Sequence, residues 1–347
     1  MNSIRKGNPV ATPGMPAGIA TPLGIAALGL LLGVGASPAR AQADAAAFPQ
    51  RTITLVNPNA PGGFVDIVAR GIATVMQRQL RQPMVVVNRP GANSAIGTAA
   101  VANAAPDGYT LLLTSPAVAA IPAIDELFQR PAQYSLSQLA PLAQVTADPA
   151  MFLIHPSLPV RTVKEFVALA RSRPADFLVS SSGTYGTTHL PIAILEQAAG
   201  IRLRHVPYNG GAPAIAAVVG GHATAVASAP SVAMAQVKAG RVRALASWGA
   251  QRVPAFPDVP TFRESGIDIE FTLWTALFAP SKTPAPVLDT LQGAVRAVVQ
   301  DEDFKGAMAR SLSTIAHLDG AAFQAHWQAE VKRIQASVRF IGKTAEQ

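Results

Sequence analysis

Four short stretches of this sequence concentrate glycine and hydroxyl-bearing residues. They are Ala60-Pro61-Gly62-Gly63-Phe64-Val65-Asp66, Thr114-Ser115-Pro116-Ala117, Ser180-Ser181-Ser182-Gly183-Thr184-Tyr185-Gly186-Thr187-Thr188, and Tyr208-Asn209-Gly210-Gly211-Ala212-Pro213. None contains Lys or Arg. The chemistry they offer is recognition rather than reaction. Glycine lets a ligand approach main-chain N–H groups, and Ser and Thr add neutral donors. Where such a turn opens a helix, the positive end of the helix dipole favours an anion. One such turn says little, because every strand-to-helix connection needs a turn. Four of them, spread over both halves of the chain, point to an anion-binding cleft.

Reactive chemistry is harder to assemble from these residues. The six histidines (His155, His189, His205, His222, His317, His326) show no metal-ligand spacing. There is no cysteine, which excludes thiol nucleophiles, cysteine metal sites and disulfides. No G-x-S-x-G elbow presents a serine nucleophile. A hydrolase using Ser182, His189 and Asp66 is the catalytic alternative. Asp66 also suits the N-terminus of a helix. Trp274 and Trp327 read as core or lobe-face aromatics rather than stacking platforms. No metal or cofactor is expected, and the chain does not read as an enzyme.

These turns need rigid elements to position them. Thr52 to Asn57 reads as a strand, and a helix follows with Val68, Ile72, Val75 and Gln79 at helical spacing. Pro83 to Asn88 and Tyr109 to Leu113 read as strands, with a helix over Ser94 to Ala105 between them. This βαβαβ order predicts a parallel-rich sheet flanked by helices. A second block repeats the pattern. Its strands are expected at Ala150 to Ile154, Phe177 to Ser180, Leu203 to Val206, Thr224 to Ala227 and Arg243 to Ser247. Thr162 and Glu165 form a capping box before one helix, and further helices begin near His189, Ala212 and Ser231. A strand near Ile269 to Ala279 leads into helices at Ala285 to Gln300, Asp301 to Ser311 and Gly320 to Arg339. The fold class is α/β with two lobes. Lobe 1 is expected over residues 42–148 and 275–347, lobe 2 over residues 149–274, and more than one chain crossing joins them.

The chain has 347 residues, of which 49% are hydrophobic and 14% charged, enough to bury a core. Arg5 and Lys6, the uncharged apolar run from Leu23 to Ala36, and Ala39-Arg40-Ala41 read as a cleavable secretory signal over residues 1–41. The apolar run is shorter than the roughly 20 residues that span a membrane. Losing Arg5, Lys6 and Arg40 takes the formal charge from +8 to +5. Without a lipid-attachment cysteine, the product reads as a freely soluble periplasmic monomer. Its basic residues are scattered, which argues against nucleic acid as a partner.

Taken together, the segments resemble the Bug family, the periplasmic receptors of tripartite tricarboxylate transport. The resemblance rests on APGGFVD at Ala60 to Asp66, NRPGA at Asn88 to Ala92, APDGYTLLL at Ala105 to Leu113 and SSGTYGTTHL at Ser181 to Leu190. It also rests on HVPYNGGAP at His205 to Pro213, KAGRVRALA at Lys238 to Ala246, PDVPT at Pro257 to Thr261 and LFAP at Leu277 to Pro280. It implies a type II periplasmic-binding fold that closes on its ligand like a flytrap, and an integral membrane permease as partner. The same fold also serves receptors that feed a membrane sensor.

The ligand-binding residues implied are Pro61, Gly62, Gly63, Phe64, Asp66, Ser115, Ser182, Gly183, Tyr185, Gly186, Thr187, Thr188, Tyr208 and Ser228. Three segments depart from the family's pattern: Pro116 to Pro122, the pair Ser228 and Ala229 where an Asp-Asn pair is frequent, and Asn209 where a basic residue is frequent. With no acid at Ser228, the expected solute is a small carboxylate without an amino group. An unpaired buried ammonium costs several kcal/mol.

Overall fold

The computed structural model describes residues 48–343, so the signal expected over residues 1–41 lies outside the described residues. The first elements are β1 (Ile53–Asn57), α1 (Phe64–Leu80), β2 (Met84–Asn88), α2 (Ala95–Ala102), β3 (Thr110–Thr114), α3 (Ala117–Leu127) and β4 (Leu139–Pro149). The chain continues through β5 (Met151–Ile154), α4 (Val163–Ser172), β6 (Leu178–Ser181), α5 (Leu190–Ala199), β7 (Arg204–Pro207), α6 (Gly211–Val219), β8 (Ala225–Ser228), α7 (Pro230–Lys238) and β9 (Arg243–Ser247). It ends with β10 (Thr272–Pro280), α8 (Ala285–Gln300), α9 (Glu302–Arg310), β11 (Ile315–Asp319) and α10 (Gly320–Ile341).

These elements make two mixed sheets, ordered β11-β4-β10-β3-β1-β2 and β7-β6-β8-β5-β9. Each has a parallel part built from strand-helix-strand units: β1 with β2 and β3, and β6 with β7 and β8. Strands β4, β10 and β11, and likewise β5 and β9, add antiparallel pairings. The core strand sequences ITLVN and TLLLT are nearly continuous apolar runs, as strands covered by helices on both faces require. Val56 lies opposite Val87 and Leu112, and this register sets Asn57 beside Asn88 at the carboxyl end of the sheet.

The chain crosses between the sheets twice, after Pro149 and before Thr272. The crossings are tied together, because the Ala150 N–H donates to the Phe271 carbonyl at 3.3 Å. Helix α10 packs against both α3 and α5. Trp274 and Trp327 are buried core residues in an edge-to-face pair 6.0 Å apart. The Trp274 indole N–H donates to Glu330 at 2.9 Å, and Arg333 binds both Glu330 and the Glu270 carbonyl. One apolar cluster therefore runs from Leu112 in the first sheet through Trp274 to Phe152 in the second.

At α4 the Thr162 hydroxyl accepts from the Glu165 N–H. The return bond of the expected capping box is displaced by one residue, since Glu165 accepts from the Arg161 N–H at 2.6 Å instead.

Candidate functional site

Asn57, Asn88, Thr114, Ser181, Pro207 and Ser228 stand at the carboxyl ends of the parallel strands of the two sheets. Helices α1, α3, α5, α6 and α7 start just beyond such strand ends, and none of these five has a side-chain cap. By contrast, Thr162 and Asp301 cap the starts of α4 and α9. An uncapped helix start leaves N–H groups for a ligand to satisfy.

The first turn is held open from beneath. Pro61 and Gly62 are exposed, and Gly63 and Phe64 are half-buried. Gly62 has φ +79°, where a Cβ would be strained. Asp66 does not cap α1 in the usual sense. It sits inside the first turn, buried, and its carboxylate accepts from Gly62 N–H at 3.0 Å and from Arg70 Nε at 2.9 Å. It also accepts from Asn88 Nδ2 at 2.9 Å and Asn57 Nδ2 at 3.4 Å. Burial pushes this carboxyl up, but the Arg70, Gly62 and Asn88 hydrogen bonds and the Arg70 charge outweigh it, leaving it below its ordinary range. Asp66 is thus fully engaged within the first lobe, where it fixes the turn.

Asparagines absent from the expected ligand-binding set extend this network. Asn59 donates to Asn57 Oδ1, Asn88 donates to the Asn59 carbonyl, and Ser94 donates to Asn59 Oδ1 at 3.2 Å. The available signal was an Asn at the carboxyl end of two neighbouring parallel strands.

The turn after β6 is self-supporting. Ser182 Oγ and Thr188 Oγ1 share a hydrogen bond of 2.8 Å, and Thr188 Oγ1 also accepts the Ser182 N–H at 2.8 Å. A Cβ on Gly186 would lie 2.9 Å from the Gly183 carbonyl oxygen, so only glycine fits there. Two imidazoles brace the turn. His189 Nδ1 accepts the Tyr185 N–H at 2.9 Å, and His205 Nε2 shares a 2.6 Å hydrogen bond with Ser181 Oγ. The rings stack 3.6 Å apart and 7° from parallel. Burial, and secondarily the neighbouring His205, drives His189 well below its ordinary value; burial lowers His205 to about 4.

The lobes meet at this turn. Ser115 Oγ and Thr187 Oγ1 share a hydrogen bond of 3.0 Å, both residues being buried. Asn93 of the first lobe lies over the turn, with its Oδ1 3.4 Å from where a Cβ on Gly186 would stand. Tyr185 faces another way: its hydroxyl donates to the Gly342 carbonyl at 2.7 Å and its ring packs edge-on to Phe128. Tyr208 is half-buried against the apolar cluster under α6 and α7, and its N–H donates to the Ser181 carbonyl. Ser228 is buried at the end of β8, its hydroxyl 3.3 Å from the Ala229 carbonyl.

No Ser182–His189–Asp66 triad forms. Ser182 pairs with Thr188, His189 with the Tyr185 N–H, and Asp66 with partners in the other lobe. Two open grooves of about 280 and 550 Å³ lie elsewhere, the first lined by α4, α5 and Phe340 and the second by α4, the end of α5 and Ser265 to Asp268, and they share Arg171.

The family model described as "Tripartite tricarboxylate transporter family receptor" matches residues 68–342. The chain belongs to this receptor family. BugT of Bordetella pertussis is 30% identical, with 84% of this chain and 88% of BugT covered. The structure of Rhodopseudomonas palustris Rpa4515 with adipate superposes with a TM-score of 0.77 at 27% identity, covering 85% of this chain and 98% of that one. MatC from Rhodopseudomonas palustris with bound malate gives 0.74 at 28% identity, covering 84% and 100%. The receptor has the two-lobed α/β fold of periplasmic binding proteins and is a solute-binding protein, not an enzyme. Read in that fold, the donor-lined seam between the lobes is the candidate binding cleft.

Proposed function

We propose that this receptor captures a small carboxylate without an amino group between its lobes and delivers it to the membrane permease of a tripartite tricarboxylate-type system. It does so in the periplasm, after loss of residues 1–41. The observation that carries this reading is the make-up of the cleft: uncapped helix starts and neutral donors, with Asp66 already tied to Arg70. A bound carboxylate gains charge-assisted hydrogen bonds of roughly 1.5–3 kcal/mol each. A solute ammonium finds no free acid at Ser228. Adipate and malate bound to relatives support the solute class. The two lobes, one built on each sheet, close about the paired crossings after Pro149 and before Thr272.

A thermal-shift screen against carboxylates tests the class, since a ligand at 100 times its Kd adds about 2.7 kcal/mol of stability. Calorimetry with succinate against aspartate tests the missing amino group. Tighter binding of aspartate would overturn that part of the proposal. For the partner, permease genes beside this one are the expected finding, and a lone sensor-kinase gene in their place would contradict delivery to a permease.

A further inference from the structure

Residues Ala92, Asn93 and Ser94 have φ of +45°, +51° and +79°, three consecutive non-glycine residues in the left-handed region. Such conformations persist only where the surroundings enforce them, and they cluster at functional sites. The turn is enforced from the first lobe, where Ser94 is buried and hydrogen-bonded to Asn59, itself tied to Asn57 and Asn88. The result is that Asn93 projects across the seam. Its Oδ1 lies 3.4 Å and 4.0 Å from the positions that Cβ atoms on Gly186 and Gly183 would occupy. Both glycines leave that space open to it. The Asn93 Nδ2 is buried and has no hydrogen-bond partner. A buried amide N–H without an acceptor is rare and calls for an explanation.

We propose that Asn93 is a solute-contact residue, whose carboxamide N–H donates to an oxygen of the bound acid at the seam between the Ala92–Ser94 turn and the Gly183–Gly186 turn. This assignment rests on the carboxylate reading above. It gives the strained turn a purpose: the backbone holds a neutral donor where the two lobes converge. An Asn there adds no charge, in keeping with the rest of the cleft, and it discriminates. An acid whose oxygens do not reach the seam leaves the amide unpaired, and a closely placed oxygen satisfies it.

The test is calorimetric titration of purified receptor with adipate and with malate. It uses the wild-type chain, Asn93→Gly and Asn93→Asp, with melting temperatures measured in parallel. Glycine suits φ +51°, so Asn93→Gly should melt at or above the wild-type temperature while losing tenfold or more in affinity for the acid that binds. Asn93→Asp keeps the shape but replaces the donor with a negative charge, and should lose a hundredfold or more. Binding by Asn93→Gly within twofold of wild type would overturn the assignment. So would a drop in its melting temperature of more than about 4 °C, which would make the side chain a structural element. Failure of the wild-type chain to bind these two acids and every acid of the carboxylate screen would overturn the carboxylate reading and this inference with it; where only a screen acid binds, that acid takes their place in the titrations. Binding by the wild type with indifferent variants would overturn this inference alone.

Discussion

Ser115 Oγ and Thr187 Oγ1 stand 3.0 Å apart, one at the start of α3 in the first lobe and the other in the turn after β6 in the second. Each hydroxyl can donate once and accept twice. Whichever donates to the other leaves its partner's proton available to a third group. The pair thus ties the two lobes together through one hydrogen bond between buried side chains.

The latch can be measured as a coupling. Ser115→Ala or Thr187→Val alone leaves one buried hydroxyl unpaired, at about 1–3 kcal/mol. Each should weaken solute binding by roughly tenfold if closure is part of binding. The double variant should lose less than the sum, with a coupling of about 1 kcal/mol. Strict additivity in calorimetry would show that the two hydroxyls act independently.

Asp66 should behave as the organiser of its turn. Asp66→Ala strands the buried Asn57 amide and removes the anchor of the Gly62 N–H and the Asn88 amide, so a destabilisation of about 3 kcal/mol is expected, with at least a tenfold loss of affinity. Arg70→Gln removes only the half-exposed partner of that ion pair and should cost under about 1 kcal/mol. Chemical denaturation of the two variants decides this, and equal losses would refute the hierarchy.

Tyr185→Phe separates wall from donor. The substitution removes the bond to the Gly342 carbonyl but keeps the ring against Phe128. About 1 kcal/mol of stability should be lost, with affinity changed less than twofold. A tenfold loss of affinity would place the hydroxyl on the solute.

The stacked histidines predict acid sensitivity. Both are held neutral in the folded receptor, with His205 lowered to about 4, whereas the unfolded chain takes up these protons near pH 6.5. The unfolded state therefore binds more protons below that pH. Stability is fully present above about pH 6.5 and falls as the pH drops toward 4, by roughly 3 kcal/mol for His205. Protonation of His189 Nδ1 would also displace the Tyr185 N–H from it. Melting temperatures at pH 7.5 and 4.5 should differ less for His205→Gln than for wild type. An unchanged difference would mean that His205 does not titrate abnormally.

Local patterns in the sequence were enough to read most of the scaffold. Apolar runs gave β1 and β3, helical spacing gave α1, α8 and α10, and turn chemistry marked the segments at Pro61 to Asp66 and Ser182 to Thr188. The motifs in order carried the family. Other elements were not read because their signals are weak or contradictory. Helix α3 carries Pro122 in its interior, β4 contains Pro141 and ends at Pro149, and β11 is a short, half-buried edge strand.

The site's working contacts belong to tertiary structure. Sequence periodicity fixes which face of a strand or helix is buried, over a few residues. It carries no record of which turn lies opposite which. Strand register set Asn57 beside Asn88, so that one carboxylate, Asp66, could hold both. The sheet pairing of β6 with β7 brought His205 to Ser181 and stacked it on His189. The approach of the two lobes alone decided that Ser115 meets Thr187, 72 residues away, and that Asn93 meets Gly186. Tyr185 shows the same limit in reverse: its place in the ligand motif was legible, but its hydroxyl was claimed by the end of a helix 157 residues further on.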